Sequence, residues 1–355
     1  MITTQTSVVH DLGTLAHRLS HPARTPCVCE PPQVLADRPD GTVVRSGAIV
    51  AKAHAADTDR EALAARIALA AAPQLAGILL PPLTAPEPAA PTTRPVTLWP
   101  LGAPVDPTDP GAAPWAEAAD LLARLHRTEP PFPLPPMRGP AKAARAVARM
   151  RAALRGDTIT PPRDAAVEPG DAIALPRDAA VEPGDATAPP RDPAVLSVLA
   201  GWRSLPAWAR GEAPAPGPGA DALCHGDLHL GQLVRHPAPD GPWLLIDMDD
   251  AGVGDPAWDL GRPAAWYAAG LLAPEDWSTF LDAYRAAGGP AVPADGDPWP
   301  ALDVPARALT VQTAAVALAK CAAEQRDPDD HEQLMIESCA RIATLPPELA
   351  TGPAS

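Results

Sequence analysis

Lysine is nearly missing from this chain of 355 residues: it occurs at Lys52, Lys142 and Lys320, and arginine supplies the rest of the positive charge. Acidic residues outnumber basic ones by 43 to 28, giving a formal net charge of −15. A protein that grips nucleic acid or an anionic membrane needs a cationic face, so neither partner is expected. Cysteine occurs five times, at 27, 29, 224, 321 and 339. An odd count makes no disulfide framework, and the Cys27-x-Cys29 pair has no second pair at metal-binding spacing. Reduced thiols in a cytoplasmic protein are the expectation. The most apolar stretch, 62–83, is broken by Arg66, Pro73, Pro81 and Pro82, so no membrane span is expected. The first twenty residues lack a basic segment followed by an apolar run, and no secretory leader is expected. Aromatic residues make up only 4%, and no G-x-G-x-x-G loop is present.

Proline, by contrast, is abundant, at 50 residues. Much of it falls in PP, AP and PG pairs, which predict long connections between elements. A hydrophobic fraction of 46% and this length suit a globular protein large enough for two lobes. The informative stretch runs from Cys224 to Pro263. It contains His225-Gly226-Asp227, an amide five positions later at Gln232, a Pro/Gly turn, and an apolar run from Trp243 to Ile246 ending in Asp247. That order predicts a loop, a hairpin turn and a strand with an acid at its tip. Phosphoryl transfer needs one carboxylate to orient or deprotonate the attacking hydroxyl, and oxygen ligands that hold Mg²⁺ on the nucleotide phosphates. Asp227 suits the first task; Gln232 and Asp247 suit the second.

HGDLHLGQ followed by IDMDDAGVGDPAWDL resembles the aminoglycoside phosphotransferase family, whose protein-kinase-like fold also serves kinases of sugars, choline, homoserine and macrolides. The form ending in Gln is similar to maltokinase-type members. The strong match spans about forty residues, from the catalytic loop to the following helix. Gln232 stands where the wider family has Asn, Met248 where an aromatic is usual, and Asp249 where many members have Gly. Asp249 or Asp250 is therefore a further candidate for metal binding. Asp259 resembles the family acid that braces the catalytic loop. His225 is expected to hold loop backbone and Asp227 in place, while His229 either faces substrate or fills space.

Upstream, strand patterns around 32–54 end in AIVAKAH, which resembles the kinase strand bearing the phosphate-contacting lysine. Lys52 sits there, with a compact ammonium able to reach phosphates; a solubilising edge lysine is the plainer reading. A helix follows, with Asp57 or Thr58 as its cap. By the resemblance Glu61 pairs with Lys52; alternatively Asp59 and Glu61 are first-turn acids that favour the helix dipole. The strand at 94–102 falls where a kinase-like chain passes between lobes. The backbone around Trp99 and Leu101 is then the adenine contact, or an ordinary linker.

Further helices are expected at 115–129, where His126 reads as packing or surface, and in a basic segment at 141–154. Others are expected at 194–210, 275–287, 305–323 and 329–343. Acids near 327–337 are candidate holders of an amino group, or a solvated helix start. PRDAAVEPGDA begins at Pro162 and recurs at Pro176; a period of 14 is too short and too polar for a solenoid. A flexible insertion at 157–188 is expected.

These features predict an α+β, bilobal, protein-kinase-like fold with a small β-rich N-lobe (1–102) and a larger, mainly helical C-lobe (103–355). The implied activity is ATP- and Mg²⁺-dependent phosphorylation of a hydroxyl on a small molecule. A sugar, amino sugar or aminoglycoside-like acceptor is expected. The net charge is compatible with a cationic acceptor and is also explained by solubility alone. The competing class is a nucleotide-binding pseudoenzyme of the same fold. Gln232, Met248 and the missing glycine loop favour it, whereas Asp227, Asp247 and Lys52 occurring together oppose it.

Overall fold

The structure, a computed structural model, describes residues 2–21, 30–38, 41–84, 93–155, 192–213 and 221–345. The expected insertion at 157–188, with its repeat, and both Cys27 and Cys29 lie outside these residues. In chain order the elements begin with α1 (Ile2–Ser20), β1 (Gln33–Arg38), β2 (Gly41–Ser46), β3 (Ile49–His54), α2 (Arg60–Ala70), β4 (Val96–Pro100) and β5 (Ala103–Pro104). Then come α3 (Trp115–His126), α4 (Gly139–Arg155), α5 (Pro193–Ser204), β6 (Ala222–Cys224), β7 (Leu233–Arg235), β8 (Trp243–Leu245) and β9 (Gly252–Gly254). The chain ends with α6 (Ala257–Ala269), α7 (Pro274–Ala286), α8 (Trp299–Glu324) and α9 (Asp330–Ile342). This is the expected strand-first, helix-later α+β order. No described helix is long and apolar enough to cross a membrane.

The described chain divides into two compact units. The first comprises 1–121, 130–135 and 230–249. Its main sheet is antiparallel in the order β1-β2-β3-β4. Alternation along β2 buries Thr42, Val44 and Ser46 on one face, the period-two pattern of a half-covered sheet. Helix α1 lies on β2 and β3, and Leu12 and Ala16 pack there with Val44, Ala51, Ala53 and Leu98. A second small sheet orders β5-β7-β8. The β7–β8 hairpin pairs Leu233 with Leu245, and the Ile246 amide donates to the Gln232 carbonyl at 2.9 Å. The register thereby sets Gln232 opposite the residue before Asp247. Helix α2 is capped by Asp59, which accepts from the Glu61 and Ala62 amides. The cap thus falls one or two residues later than the sequence suggests, since only Asp59 precedes a helical turn that its carboxylate can reach.

The second unit comprises 122–129, 136–229 and 250–355. Its organising element is α8, which packs against α4, α5, α6 and α9. A core of Met150, Val198, Trp202, Val311, Leu318, Met335 and Ile336 fills the bundle; each such large buried side chain contributes ~1.5–3 kcal/mol. Helix α8 begins at Trp299, six residues before the expected start, and carries Pro305 inside it. Burial around the helix offsets the hydrogen bond that proline cannot donate. Strand β6 pairs antiparallel with β9 and fixes both ends of the segment that holds the 225–229 loop.

Where α6 crosses α8, Gly261 allows close approach: a Cβ there would lie 3.0 Å from Pro305 Cβ and Leu309 Cδ1, and 3.2 Å from the Pro305 carbonyl carbon. Alanine in place of glycine favours a helix by about 1 kcal/mol, while overpacking costs about 1–3 kcal/mol. The rigid proline should make the second effect win. Gly261→Ala is expected to lower unfolding free energy in urea by about 1 kcal/mol; a gain would show that α8 moves aside at little cost.

Candidate functional site

In the first unit, β3 presents Lys52 and His54 two residues apart, hence on one face. The Lys52 ammonium lies 2.6 Å from Asp247 Oδ1 and 2.8 Å from Asp249 Oδ2. Burial opposes its charge, but the Asp247 and Asp249 carboxylates outweigh burial and hold its pKa above the ordinary lysine value. His54 is buried, with Nδ1 3.1 Å from Asp249 Oδ2 and Nε2 2.8 Å from Thr97 Oγ1. Trp99 Nε1 donates to the same hydroxyl at 3.0 Å. An ionised Asp249 only accepts, so the network assigns the proton to Nδ1 and leaves Nε2 to accept from Thr97. Burial pushes the Asp249 pKa up, yet the His54 hydrogen bond and the Lys52 charge reverse this and keep it well below the usual carboxylate range.

Asp247 itself has φ 63°, in the left-handed region. That conformation costs a non-glycine residue about 1–2 kcal/mol and is a mark of functional positions. Asp247 and Asp249 already converge on one cation, and both offer the hard oxygen donors that Mg²⁺ requires. Gln232, 8% exposed in the turn immediately before β7, carries an amide oxygen of the same kind. The donor set fits Mg²⁺.

Two residues expected at the nucleotide sit differently. Glu61 is exposed in the first turn of α2, and Lys52 pairs with Asp247 and Asp249 in its place. Leu101 has its amide donated to the Ala48 carbonyl at 2.8 Å and its carbonyl 3.2 Å from His236 Nδ1. Its backbone is therefore already engaged, whereas Trp99 stays half-buried on β4.

In the second unit the 225–229 loop is held from beneath by Asp259 on α6. The Asp259 carboxylate accepts the His225 amide at 2.6 Å, the Gly226 amide at 2.7 Å and His126 Nε2 at 3.0 Å. His126 Nδ1 lies 2.7 Å from the Tyr284 hydroxyl, whose oxygen accepts the Ala291 amide at 3.1 Å. Because ionised Asp259 only accepts, the chain has one polarity: Ala291 N–H to Tyr284 O–H to His126 to carboxylate. Gly226 is required twice over, by φ 84° and because a Cβ would stand 2.3 Å from the Asp250 carbonyl oxygen. His225 is fully buried, and its Nδ1 accepts the Asp227 amide at 3.3 Å.

The Asp227 side chain emerges from this loop between two cations. Lys142 Nζ is 2.7 Å from Oδ2, and Arg262 Nη2 pairs with Oδ1. Lys142 also reaches Asp250 Oδ2 at 2.6 Å, and Arg138 lies 4.0 Å from the other Asp250 oxygen. Burial works against Asp227 ionisation, but Lys142 and Arg262 outweigh it and carry the pKa down to about 2. Beside them, burial and then the Arg262 charge push the His229 pKa down to about 4, so the imidazole is neutral at pH 7.

His126, Cys224 and Asp259 place ligand atoms within 4.8 Å of one another. Three N–H donors already fill Asp259, and burial pushes the Cys224 thiol pKa far up, so this group is a hydrogen-bonded support. The acids near 327–337 also have local work: Asp329 and Glu332 form a capping box, and Glu332 pairs with Arg326 at 2.6 Å.

Lys142, Arg262, His54 and Tyr284 are site neighbours that local sequence reading leaves out. Arg262 does carry a signal, standing three residues after Asp259 on one helix face. His54 carries another in the K-x-H alternation.

A model described as a phosphotransferase enzyme family matches residues 40–302 of the chain. No curated protein shows a significant match. Solved structures do. A thermostable mutant of aminoglycoside phosphotransferase APH(4)-Ia, in ternary complex with AMP-PNP and hygromycin B, is 13% identical, with 95% of this chain and 98% of that one covered and a TM-score of 0.53. The spectinomycin phosphotransferase APH(9)-Ia, bound to ADP and spectinomycin, is 11% identical over 86% and 92%, with a TM-score of 0.51. A choline/ethanolamine kinase family protein from Mesorhizobium loti is 17% identical over 99% and 98%, with a TM-score of 0.47. At such identities the first two likenesses show the fold, which is protein-kinase-like.

The depressed Asp227 pKa sets a pH dependence. The folded-state value, about 2, lies below the ordinary aspartate value of 3.8, so its stabilisation is complete above pH 3.8 and lost as pH falls toward 2. The difference in unfolding free energy between the native protein and Asp227→Asn is therefore expected to stay level from pH 7 to 5 and shrink below 4. Urea titrations at each pH check this; a difference that grows on acidification would refute the ion-pair assignment.

Proposed function

Because the chain belongs to the phosphotransferase enzyme family and is a small-molecule kinase, we propose that it transfers the γ-phosphoryl group of ATP, with Mg²⁺, to a hydroxyl of a sugar-like acceptor. The observation that carries this reading is the Asp227 loop. Two backbone amides bonded to buried Asp259 fix the loop, so that a single ionised carboxylate is held in place. Asp227 would accept a hydrogen bond from the attacking hydroxyl and aim its lone pair at phosphorus. A carboxylate with a pKa near 2 is a weak base, so orientation is its main contribution, with the proton taken up late in transfer.

Lys52 would engage nucleotide phosphates, exchanging carboxylate partners for phosphate oxygens. Asp247, Asp249 and Gln232 would hold Mg²⁺, which when bound neutralises charge on the phosphates. His54 would keep Asp249 oriented through its Nδ1 proton. His225 and Asp259 act on loop geometry, without touching the reacting atoms. In this reading 1–102 binds the nucleotide, with Trp99 beside adenine, and 103–355 supplies the catalytic and metal-holding residues and binds the acceptor. A cytoplasmic setting goes with ATP as cosubstrate and with the buried thiols of Cys224, Cys321 and Cys339.

Asp227→Asn is expected to keep ATP affinity within about threefold while lowering turnover on the order of 10²–10⁴-fold. Asp247→Asn is expected to weaken the Mg²⁺ dependence of turnover and leave the fold intact. Coupled ATP-consumption assays, with nucleotide binding followed by calorimetry, check both. Full turnover by Asp227→Asn would overturn the proposed role, and nucleotide binding with no turnover across sugars, amino sugars, aminoglycosides, choline and homoserine would favour a pseudoenzyme.

A further inference from the structure

Asp259 fixes the backbone beneath Asp227 by accepting the His225 and Gly226 amides, but those bonds leave the side-chain torsions of Asp227 undetermined. The carboxylate is held by two cations, one on each oxygen: Arg262 Nη2 on Oδ1, and Lys142 Nζ on Oδ2 at 2.7 Å. A lysine held at one point only is a loose anchor, since its flexible four-carbon stem loses rotamer entropy when fixed. Lys142 is held at a second point, because its ammonium also lies 2.6 Å from Asp250 Oδ2. Asp250 in turn sits on a tied segment. Its carbonyl accepts the Arg138 amide at 3.2 Å, and two residues on, Gly252 of β9 pairs with Cys224 of β6. Lys142 therefore bridges two acids whose backbones the same strand pair sets in register.

Electrostatics alone does not account for this arrangement. Lys142, Arg262 and His229 act on the Asp227 carboxylate and lower its pKa against burial. Asp250 lies across Lys142, with Arg138 4.0 Å from its other oxygen, and ionised Asp259 lies beneath the loop. The outcome is a pKa of about 2. An aspartate at its ordinary value of 3.8 is already ionised at pH 7, so the further fall adds no carboxylate and makes it a weaker base. What two ion pairs on one carboxylate do add is a fixed direction. An ionised carboxylate has about four lone-pair sites, so those not facing Lys142 and Arg262 stay open to a hydroxyl.

We propose that Lys142 is a positioning residue for phosphoryl transfer: bridged to Asp250, it locks the Asp227 carboxylate in the orientation that receives the acceptor hydroxyl. This rests on the phosphotransferase reading above and adds a residue to its machinery. Lys142 acts through Asp227, without touching the reacting atoms. Without it the carboxylate pivots on Arg262 alone, and a misplacement of about 1 Å costs on the order of 10²-fold in rate.

The test follows ATP consumption by the full chain with Mg²⁺ and glucose, maltose, glucosamine, hygromycin B, choline or homoserine as acceptor. Lys142→Met is expected to lower kcat roughly ten- to hundredfold, with KM for ATP and acceptor within about threefold of the native values. In an Asp227→Asn background the same substitution is expected to change the residual turnover less than about twofold, because residues that act as a unit are not additive. Asp250→Asn, which leaves Lys142 one partner fewer, is expected to give a smaller loss than Lys142→Met, and again none in the Asp227→Asn background.

Full turnover by Lys142→Met would overturn the inference and leave the phosphotransferase reading standing. An equal loss in both backgrounds would also overturn it, because Lys142 would then act on the transferred group directly. If Lys142→Met does not fold, Asp250→Asn decides: no loss, a loss that persists in Asp227→Asn, or an altered Mg²⁺ dependence would each overturn the bridge. Absence of Asp227-dependent turnover by the native protein with every acceptor would remove the phosphotransferase reading and the inference together.

Discussion

The second unit depends on one buried negative charge. Asp259 is 1% exposed, and an uncompensated carboxylate at such a place would cost several kcal/mol. It is tolerated because three N–H groups converge on it, two from the 225–227 loop and one from His126. Each of these donors would in turn be costly to leave unmade. Carboxylate and loop therefore specify each other: the charge is acceptable only with the loop closed over it, and the loop backbone is satisfied only with the charge present. The position of Asp227 follows from that mutual requirement more than from any contact of its own side chain.

The first unit solves a related problem differently. Its two acids, Asp247 and Asp249, gather around Lys52, and Asp247 does so from a left-handed backbone that any other region of the sheet would avoid. In the proposed reaction Asp247 and Lys52 would exchange partners, Asp247 for a divalent cation and Lys52 for phosphate oxygens. The His54–Thr97–Trp99 hydrogen bonds would then restrict how far Asp249 turns.

Much of the fold was legible because its signals are local. Alternation marked β2 and β3, apolar spacing marked α3, and Asp227, Gln232 and Asp247 fall within one short stretch whose order mirrors a chemical need. Helix ends were less legible: α8 runs through Pro305, since packing against four helices outweighs one missing backbone donor. The partners of the site were hardest to see. Lys142 and Tyr284 come from helices far from Asp227 in sequence, and nothing in the periodicity of α4 or α7 distinguishes a residue that meets a carboxylate from one that meets water. Glu61 shows the converse, a residue named by analogy whose local structure places it in solvent.

The scarcity of lysine has a practical meaning in reagent chemistry. Of the three, Lys52 and Lys142 are ion-paired among carboxylates, and Lys320 stands exposed on α8. An ammonium held in that way is slow to lose the proton that must leave before nitrogen attacks an acylating or aldehyde label. Among the side-chain amines, Lys320 is therefore the natural point for attaching a dye or a solid support, with both candidate-site lysines left unmodified by the coupling.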